Sequence, residues 1–386
     1  MAGVRRRGSQ GDQRVSHVLY PVMLARPVRG AGGDLTPSEA VSAYAFSSTL
    51  SIQDITGDPT SGTTTSRLVV RLQGSEESDA LLFALCASPP GPRPTGRFGL
   101  PEIPSTGHAG QPLDYAAWVM ISLPLLEDLH VIEAHITMDS SIAPLPGQPW
   151  DTEVHEAWQA ALDLVDKLAH HTARPIRQLW ITHPPDTPGP NIPGYHRAHT
   201  EYQAKLDLSV ATHAQGSWAN SVTLADDMNF GPDIRESMSD MYRLASEQLP
   251  RGDLVMDTIQ WNPQRIAQAS SRLADKQGEQ ITALITDPSN PTAVIAFSEV
   301  ARFAGAESRV VELGATFVRQ QWRGQGLGRS VMMSAVSQAQ QRWPETRVGY
   351  TSYPEGVPQV EALNASLHSE IISATTAWQK LGDYRA

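Results

Sequence analysis

The densest chemical signal in this chain lies in Val310–Arg329, VVELGATFVRQQWRGQGLGR. An apolar run through Phe317 and Val318 leads into Arg323, Gly324, Gln325, Gly326, Leu327, Gly328 and Arg329, and apolar residues then recur at helical spacing. Glycines at alternate positions let the main chain adopt conformations closed to other residues and approach a ligand closely. Amides exposed at such a turn and at the start of a helix form an anion site. Arg323 and Arg329 add positive charge beside it. The ligand that suits this loop is a pyrophosphate. A Walker loop would end in Gly-Lys-Ser/Thr, which this stretch lacks. A dinucleotide fold would need G-x-G-x-x-G, whereas the spacing here is G-x-G-x-G.

Behind a strand, the pattern Q/R-x-x-G-x-G/A, filled by Gln321, Arg323, Gly324, Gly326 and Gly328, resembles the coenzyme A-binding signature of the GNAT (N-acetyltransferase) superfamily. Residues from about 213 to 381 are similar to the second domain of tandem GNAT proteins. Thr316-Phe317-Val318 matches the Thr-x-Val that ends the strand before the loop. Thr351, Glu355, Asn364 and Leu367 match a segment after the next strand, and Trp378-Gln379 matches a closing strand. Two departures stand out. Leu367-His368-Ser369 replaces the usual Leu-Gly-Phe, and Val357 replaces an asparagine before the helix expected to start at Pro358.

The resemblance implies an α/β (α+β) fold of two GNAT-like domains, each a mixed, mostly antiparallel sheet flanked by helices. It implies acetyl-CoA as co-substrate and direct attack of a neutral amine on its thioester. A main-chain N–H near Phe317 or Val318 would polarise the carbonyl, and a base would deprotonate the incoming ammonium. Glu312 is the first candidate, six residues before Val318, where even spacing on a regular strand puts both on one face. Glu299 on the preceding strand is the second. The general acid of many relatives, a tyrosine on the last helix, aligns with Asn364, which can hydrogen-bond a sulfur but has no proton to release at neutral pH. Tyr350 and Tyr353 lie nearby, and the role stays unassigned. The acceptor implied is a primary amine of a small molecule or peptide. Two alternatives are a longer acyl-CoA or carrier-protein donor, and a non-catalytic acyl-CoA-binding protein.

Two halves share one order of elements: short apolar strands, a long amphipathic helix, another strand. In the first, Leu81–Ala87, Tyr115–Leu123 and Leu129–Asp139 read as strands, Asp151–His171 as a helix and Ile176–Thr182 as a strand. In the second, strands at Ala293–Val300 and Val310–Val318 precede a helix at about Gly328–Trp343 and a strand at Arg347–Thr351. The proline-rich stretch 183–194 reads as an extended loop. Lys205–Val210 reads as the last strand of a first domain spanning 15–212, with 213–386 as the acetyl-CoA-binding domain and 1–14 as a disordered tail. The first half also resembles a GNAT domain through its Leu-Pro-Leu-Leu-Glu-Asp-Leu-His stretch. Where its glycine-rich loop belongs, the chain reads DSSIAPLPGQPW, whose prolines lack the N–H groups a phosphate needs. The first domain is therefore expected not to bind coenzyme A conventionally and either to shape the substrate cleft or to hold the second domain in place. His196, His199 and Glu201 read as a surface loop rather than a metal site, and the tryptophans as core or interface residues.

The bulk numbers set bounds. A chain of 386 residues suits two domains. A formal charge of −11 argues against wholesale binding to nucleic acid or anionic membrane. The single cysteine, Cys86, permits no intramolecular disulfide and fits a cytoplasmic protein. No apolar run is long enough to span a membrane. Either a monomer or a homodimer is compatible with the sequence.

Overall fold

The computed structural model describes residues 18–30, 35–108, 110, 113–211, 217–303 and 309–382; the expected N-terminal tail and the expected boundary at residue 212 lie outside them. The first half runs β1 (Tyr20–Leu24), α1 (Glu39–Thr56), α2 (Thr65–Leu72), β2 (Ser78–Cys86), the short β3 (Glu102–Ile103), β4 (Tyr115–Pro124), β5 (Val131–Met138), α3 (Thr152–His171), β6 (Ile176–His183) and β7 (His196–Asp207). A short helix, α4 (Leu208–Ala211), precedes the second half: β8 (Thr223–Asp226), α5 (Pro232–Gln248), α6 (Pro263–Asp275), β9 (Gly278–Asp287), β10 (Asn290–Phe303), β11 (Val310–Val318), α7 (Leu327–Arg342), β12 (Val348–Pro354), α8 (Pro358–Ala365) and β13 (Glu370–Leu381).

Local chemistry explains the main helices. Ser38 caps α1 by accepting from the Val41 amide, and Gly57 ends it at φ 63°, a left-handed conformation that glycine adopts without a Cβ penalty. Asp151 caps α3 in the same way through the Val154 amide. Val154, Ala157, Ala161, Leu164, Val165 and Leu168 bury one stripe of α3 on Leu81, Phe83, Val119 and Ile121 of the sheet. Helix α7 buries Leu327, Val331, Ala335, Val336 and Ala339 against Ile281, Ala283, Ile295 and Val311. Helices α3 and α7 lie on one face of the sheet. On the other, α1 and α2 cover Leu82, Ala84, Trp118 and Met120, while α5 and α6 cover Leu284, Phe297 and Phe317.

The 13 strands form one sheet, in the order β3-β1-β2-β4-β5-β6-β13-β7-β12-β11-β10-β9-β8. Pairing is antiparallel except for β1 with β3, β5 with β6 and β11 with β12. The centre departs from a simple division. The last strand, β13, lies antiparallel between β6 and β7, while β7 pairs with β12 of the second half. Each half thus completes its sheet with a strand from the other.

The residues expected to form a surface loop, His196 to Glu201, are the first part of β7 and lie mid-sheet. Alternation accounts for this. Ala198, Thr200, Ala204 and Leu206 are buried on one face, and His199, Glu201, Gln203 and Lys205 occupy the other. Beyond the sheet, Arg265 of α6 forms ion pairs with Glu77 and Glu127 of the first half. The Asp128 amide donates to Asp257 and the Asp257 amide to Asp128.

A buried hydroxyl chain ties the exchanged strands together: Thr376 of β13 lies 2.9 Å from His183 Nε2 of β6 and 2.9 Å from the Thr200 hydroxyl of β7. Removing a hydroxyl that satisfies two buried partners costs about 1–3 kcal/mol. Thr376→Val is therefore expected to lower the unfolding free energy by about that amount within a single cooperative transition, measured by chemical denaturation with two probes. Two resolved transitions, one per half, would contradict the exchange.

Candidate active site

The site begins where two parallel strands part. Strands β11 and β12 pair from Val310/Val348 to Leu313/Thr351, and β11 then runs on to Val318 without that partner. The parting coincides with a bulge. Against β10 the register slips by one residue between Ser298/Thr316 and Val300/Leu313, and Gly314 and Ala315 lie exposed there. Glycine fits because a Cβ at position 314 would stand 3.1 Å from the Glu299 Cβ.

The extra residue corrects the expectation that Glu312 and Val318 share a face. Val311, Leu313 and Val318 all pack on the α7 side, so Glu312 points to the opposite side. Val318 itself is well placed for the expected amide. The neighbouring Arg319 amide donates to Ile295 of β10, so alternation turns the Val318 N–H towards the gap. The Val318 carbonyl accepts from Arg323 Nε at 3.0 Å.

Beyond the gap comes the loop. Gly324 and Gly326 both adopt positive φ, 77° and 82°, and α7 starts at Leu327 with no side chain capping it. A Cβ at Gly324 would meet nothing within 4 Å. The first-turn amides have no side-chain cap among the described residues, and the positive end of the helix dipole lies behind them. Trp218 braces the loop, its indole donating to the Gln325 carbonyl and its amide to the Ser330 hydroxyl, both at 3.1 Å. Arg329 is exposed on the first turn, whereas Arg323 also reaches Gln248. Asn364 is 1% exposed; its Nδ2 donates to the Val360 carbonyl while its Oδ1 has no hydrogen-bond partner among the described residues. An orphaned buried acceptor is costly. An uncapped helix start, two left-handed glycines and this amide oxygen fit coenzyme A, a pyrophosphate carrying an amide-bearing arm. Val357 makes no cap bond to α8, and Glu361 instead reaches back to the Gly356 amide.

On the opposite face, a cavity of about 420 Å³ opens between the α1–α2 loop of the first half and β11 and β12 of the second. Glu312 lies in its wall, 3.0 Å from Arg67 of α2. Tyr350, cross-strand from Glu312, donates at 2.7 Å to Asp58, which also pairs with Lys205 Nζ at 3.0 Å. Burial pushes the Tyr350 phenol up to about 12, so it stays protonated at neutral pH. Tyr353 is buried beside Tyr202. Glu299 stands under the bulge and accepts from the Tyr242 hydroxyl, Gln280 Nε2 and the Ala315 amide. Burial raises its pKa against the opposing Tyr242 hydrogen bond. With three donors on it, Glu299 is placed to hold the bulge. The structure thus brings Glu312 and Tyr350 together in the cleft and sets Glu299 and Asn364 apart from it. Arg67, Asp58 and Lys205 were missed in the sequence because their partners lie far away along the chain: Glu312 and Tyr350 of the second half for Arg67 and Asp58, and Asp58 for Lys205.

The first half repeats the gap without the rest. Strands β5 and β6 pair from Val131/Ile176 to Ala134/Leu179 and then part. The β4–β5 register runs without a slip, and Glu133 occupies the position of Glu312. The start of α3 is already capped by Asp151.

Asp58 yields a pH prediction. Burial pulls its pKa up, but hydrogen bonds from Thr60, Tyr350 and Lys205 outweigh this and bring it down to about 2 from an ordinary 3.8. A depressed carboxyl contributes stability that is complete above its unfolded pKa and is lost as pH falls through the folded one, here from about 4 towards 2. Asp58→Asn should lower the melting temperature at pH 7 and lose less stability than the wild type between those pH values. Parallel profiles for the two proteins would refute the assignment.

No family model matches the chain, and neither does any curated protein. Solved structures do. A tandem GNAT protein from the clavulanic acid biosynthesis pathway, without acetyl-CoA, superposes with a TM-score of 0.61 at 15% identity, covering 96% of this chain and 100% of that one. A GCN5-related N-acetyltransferase from Sphaerobacter thermophilus superposes with a TM-score of 0.52 at 13% identity, covering 88% and 91%. With its two parted strand pairs on one sheet and a glycine loop entering α7, the chain has the tandem fold of the GNAT superfamily.

Proposed function

We propose that this protein is an acetyl-CoA-dependent N-acetyltransferase that acetylates a primary amine of a small molecule or peptide, with one cofactor site, in the second half. The observation that carries this reading is the continuity of the gap between β11 and β12 with the uncapped start of α7. Bound there, coenzyme A would supply an activated acyl group. The amides of Leu327, Gly328 and Arg329 would hold its phosphates, Asn364 Oδ1 would accept from its arm, and the Val318 N–H would polarise the acyl carbonyl. Glu312 draws the acceptor ammonium into the cleft and takes its proton, directly or through water. Asn364 has no proton to give, so the leaving group is protonated by water. The first half contributes a wall of the cleft through Arg67, Thr60 and Asp58; its prolines and its capped α3 leave it without a phosphate site.

One competing reading draws on the Arg67–Glu312 ion pair, which already occupies the carboxylate within the cleft. It is a protein that binds acyl-CoA without turning it over. Titration with acetyl-CoA by calorimetry separates these possibilities. One site per chain is expected, abolished in Gly326→Asp, which places a carboxylate at the phosphate site. Two sites would mean that the first half also binds, and none would end the reading. Screened against amines, the enzyme should release thiol. Once an acceptor is known, Glu312→Gln should reduce kcat about 100-fold while leaving acetyl-CoA affinity within about threefold. Full activity in that variant at every pH would remove Glu312 as the base.

A further inference from the structure

Arg67 and Arg71 stand one turn apart on α2, and only one of them meets a carboxylate. Arg67 pairs with Glu312. Arg71 donates through Nη2 to the neutral Ser122 hydroxyl at 3.0 Å and forms no ion pair among the described residues. Glu133, cross-strand from Ser122, faces the same region; burial raises its pKa against the opposing charge of Arg71, with which it forms no ion pair among the described residues. Between α1, α2, β5 and β6 lies a second cavity, of about 240 Å³, which shares Ile52, Arg67 and Thr182 with the Glu312 cleft. Its wall is polar: Ser48, Thr63 and Thr137 line it, as does His135, which has no hydrogen-bond partner among the described residues. Burial first, and then the charge of Arg71, pushes the His135 imidazole down to about 4, so it is neutral at pH 7 and can donate without adding charge.

We infer that this cavity is the carboxylate subsite of a zwitterionic, amino acid-like acceptor, whose ammonium meets Glu312 and whose carboxylate meets Arg71 and His135. The inference rests on the acetyltransferase reading for the identity of the acceptor, though not for binding to the cavity. Arg67 and Arg71 are four residues apart, so their backbone positions differ by about 6 Å along α2. An ammonium beside the carboxylate that Arg67 holds, and a carboxylate reaching a guanidinium that starts one helical turn further on, suit the separated charged ends of a short unbranched amino acid. Charge supports the choice. A second cation would face two guanidinium groups and find only a buried, largely desolvated Glu133, whereas a carboxylate completes the hydrogen bonding of Arg71 and His135 together.

The test uses 5-aminopentanoate and its uncharged counterpart 5-aminopentanamide as probes, titrated by calorimetry into the full chain without cofactor. The carboxylate should bind at least about tenfold more tightly than the amide. Arg71→Met should abolish that preference while leaving amide affinity unchanged, and Arg71→Lys should restore part of it. Equal affinity for the two probes, no binding of either, or a preference that survives in Arg71→Met would overturn the proposal. Thiol release from acetyl-CoA is measured separately. Carboxylate-selective binding without release would leave the subsite standing and remove the enzymatic reading, whereas release with amines of every kind would do the reverse.

Discussion

A β-strand has two edges, and each buried edge must find a hydrogen-bonding partner. That requirement organises this molecule. Strand β6 needs a partner on the side away from β5, and β12 needs one on the side away from β11; β13 and β7 fill these places. Because β13 and β7 also pair with each other, the two halves cannot separate without exposing a central row of backbone groups. The exchange costs the chain its modularity and fixes the relative placement of the halves. That fixed placement allows Arg67 and Asp58 of one half to serve a cleft whose other wall is Glu312 and Tyr350 of the other.

Within this frame, one residue separates the two halves chemically. Both contain a four-residue parallel pairing that then opens, with a glutamate at its third position, Glu133 or Glu312. In the second half the extra residue at Gly314–Ala315 kinks β11, exposes main chain at the gap and reverses the alternation beyond it. In the first half β5 stays regular, and the position after Ala134 carries the side chain of His135. Glu299 belongs to the same difference, since its carboxylate holds the Ala315 amide. A glutamate expected as a reserve base serves as a prop for the backbone that would face the acyl group.

The glycine loop was legible from residue types alone because positive φ at Gly324 and Gly326 is a demand that sequence displays directly. The stripes of α3 and α7 and the start of α8 at Pro358 were legible for similar local reasons. The bulge was not. One extra residue in a strand leaves the apolar pattern nearly intact, and a parity count from Glu312 to Val318 is wrong by the one residue it cannot see. Strand β7 was read only at its end, in a strand expected over Lys205–Val210 whose last residues form α4, and its first part was missed for a different reason. Its buried face is built of Ala198, Thr200 and Ala204, which carry little hydrophobic signal, while the opposite face reads His-Glu-Gln-Lys and mimics a solvated loop. The exchange of β7 and β13 has no local signature, because it depends on which edge each strand finds.

These observations bear on why a half without a phosphate site would be retained. An amine is nucleophilic only when neutral, and a cleft that holds it beside a carboxylate out of bulk water makes the proton transfer local. The second half alone would present Glu312 on an open strand face. The α1–α2 segment covers that face, with Asp58 drawn in by Tyr350 and Lys205 and with Arg67 opposite Glu312. Apart from the Asp58–Lys205 pair, which lies within the first half, these contacts cross between the halves, so in the proposed reaction substitutions in the first half should alter acceptor recognition without reaching the loop at Gly324–Gly328. In the proposed reaction a division of labour would follow from the sheet: the face bearing α7 would present the phosphate site, the face bearing α1 and α2 the acceptor cleft, and the gap at the bulge the passage between them.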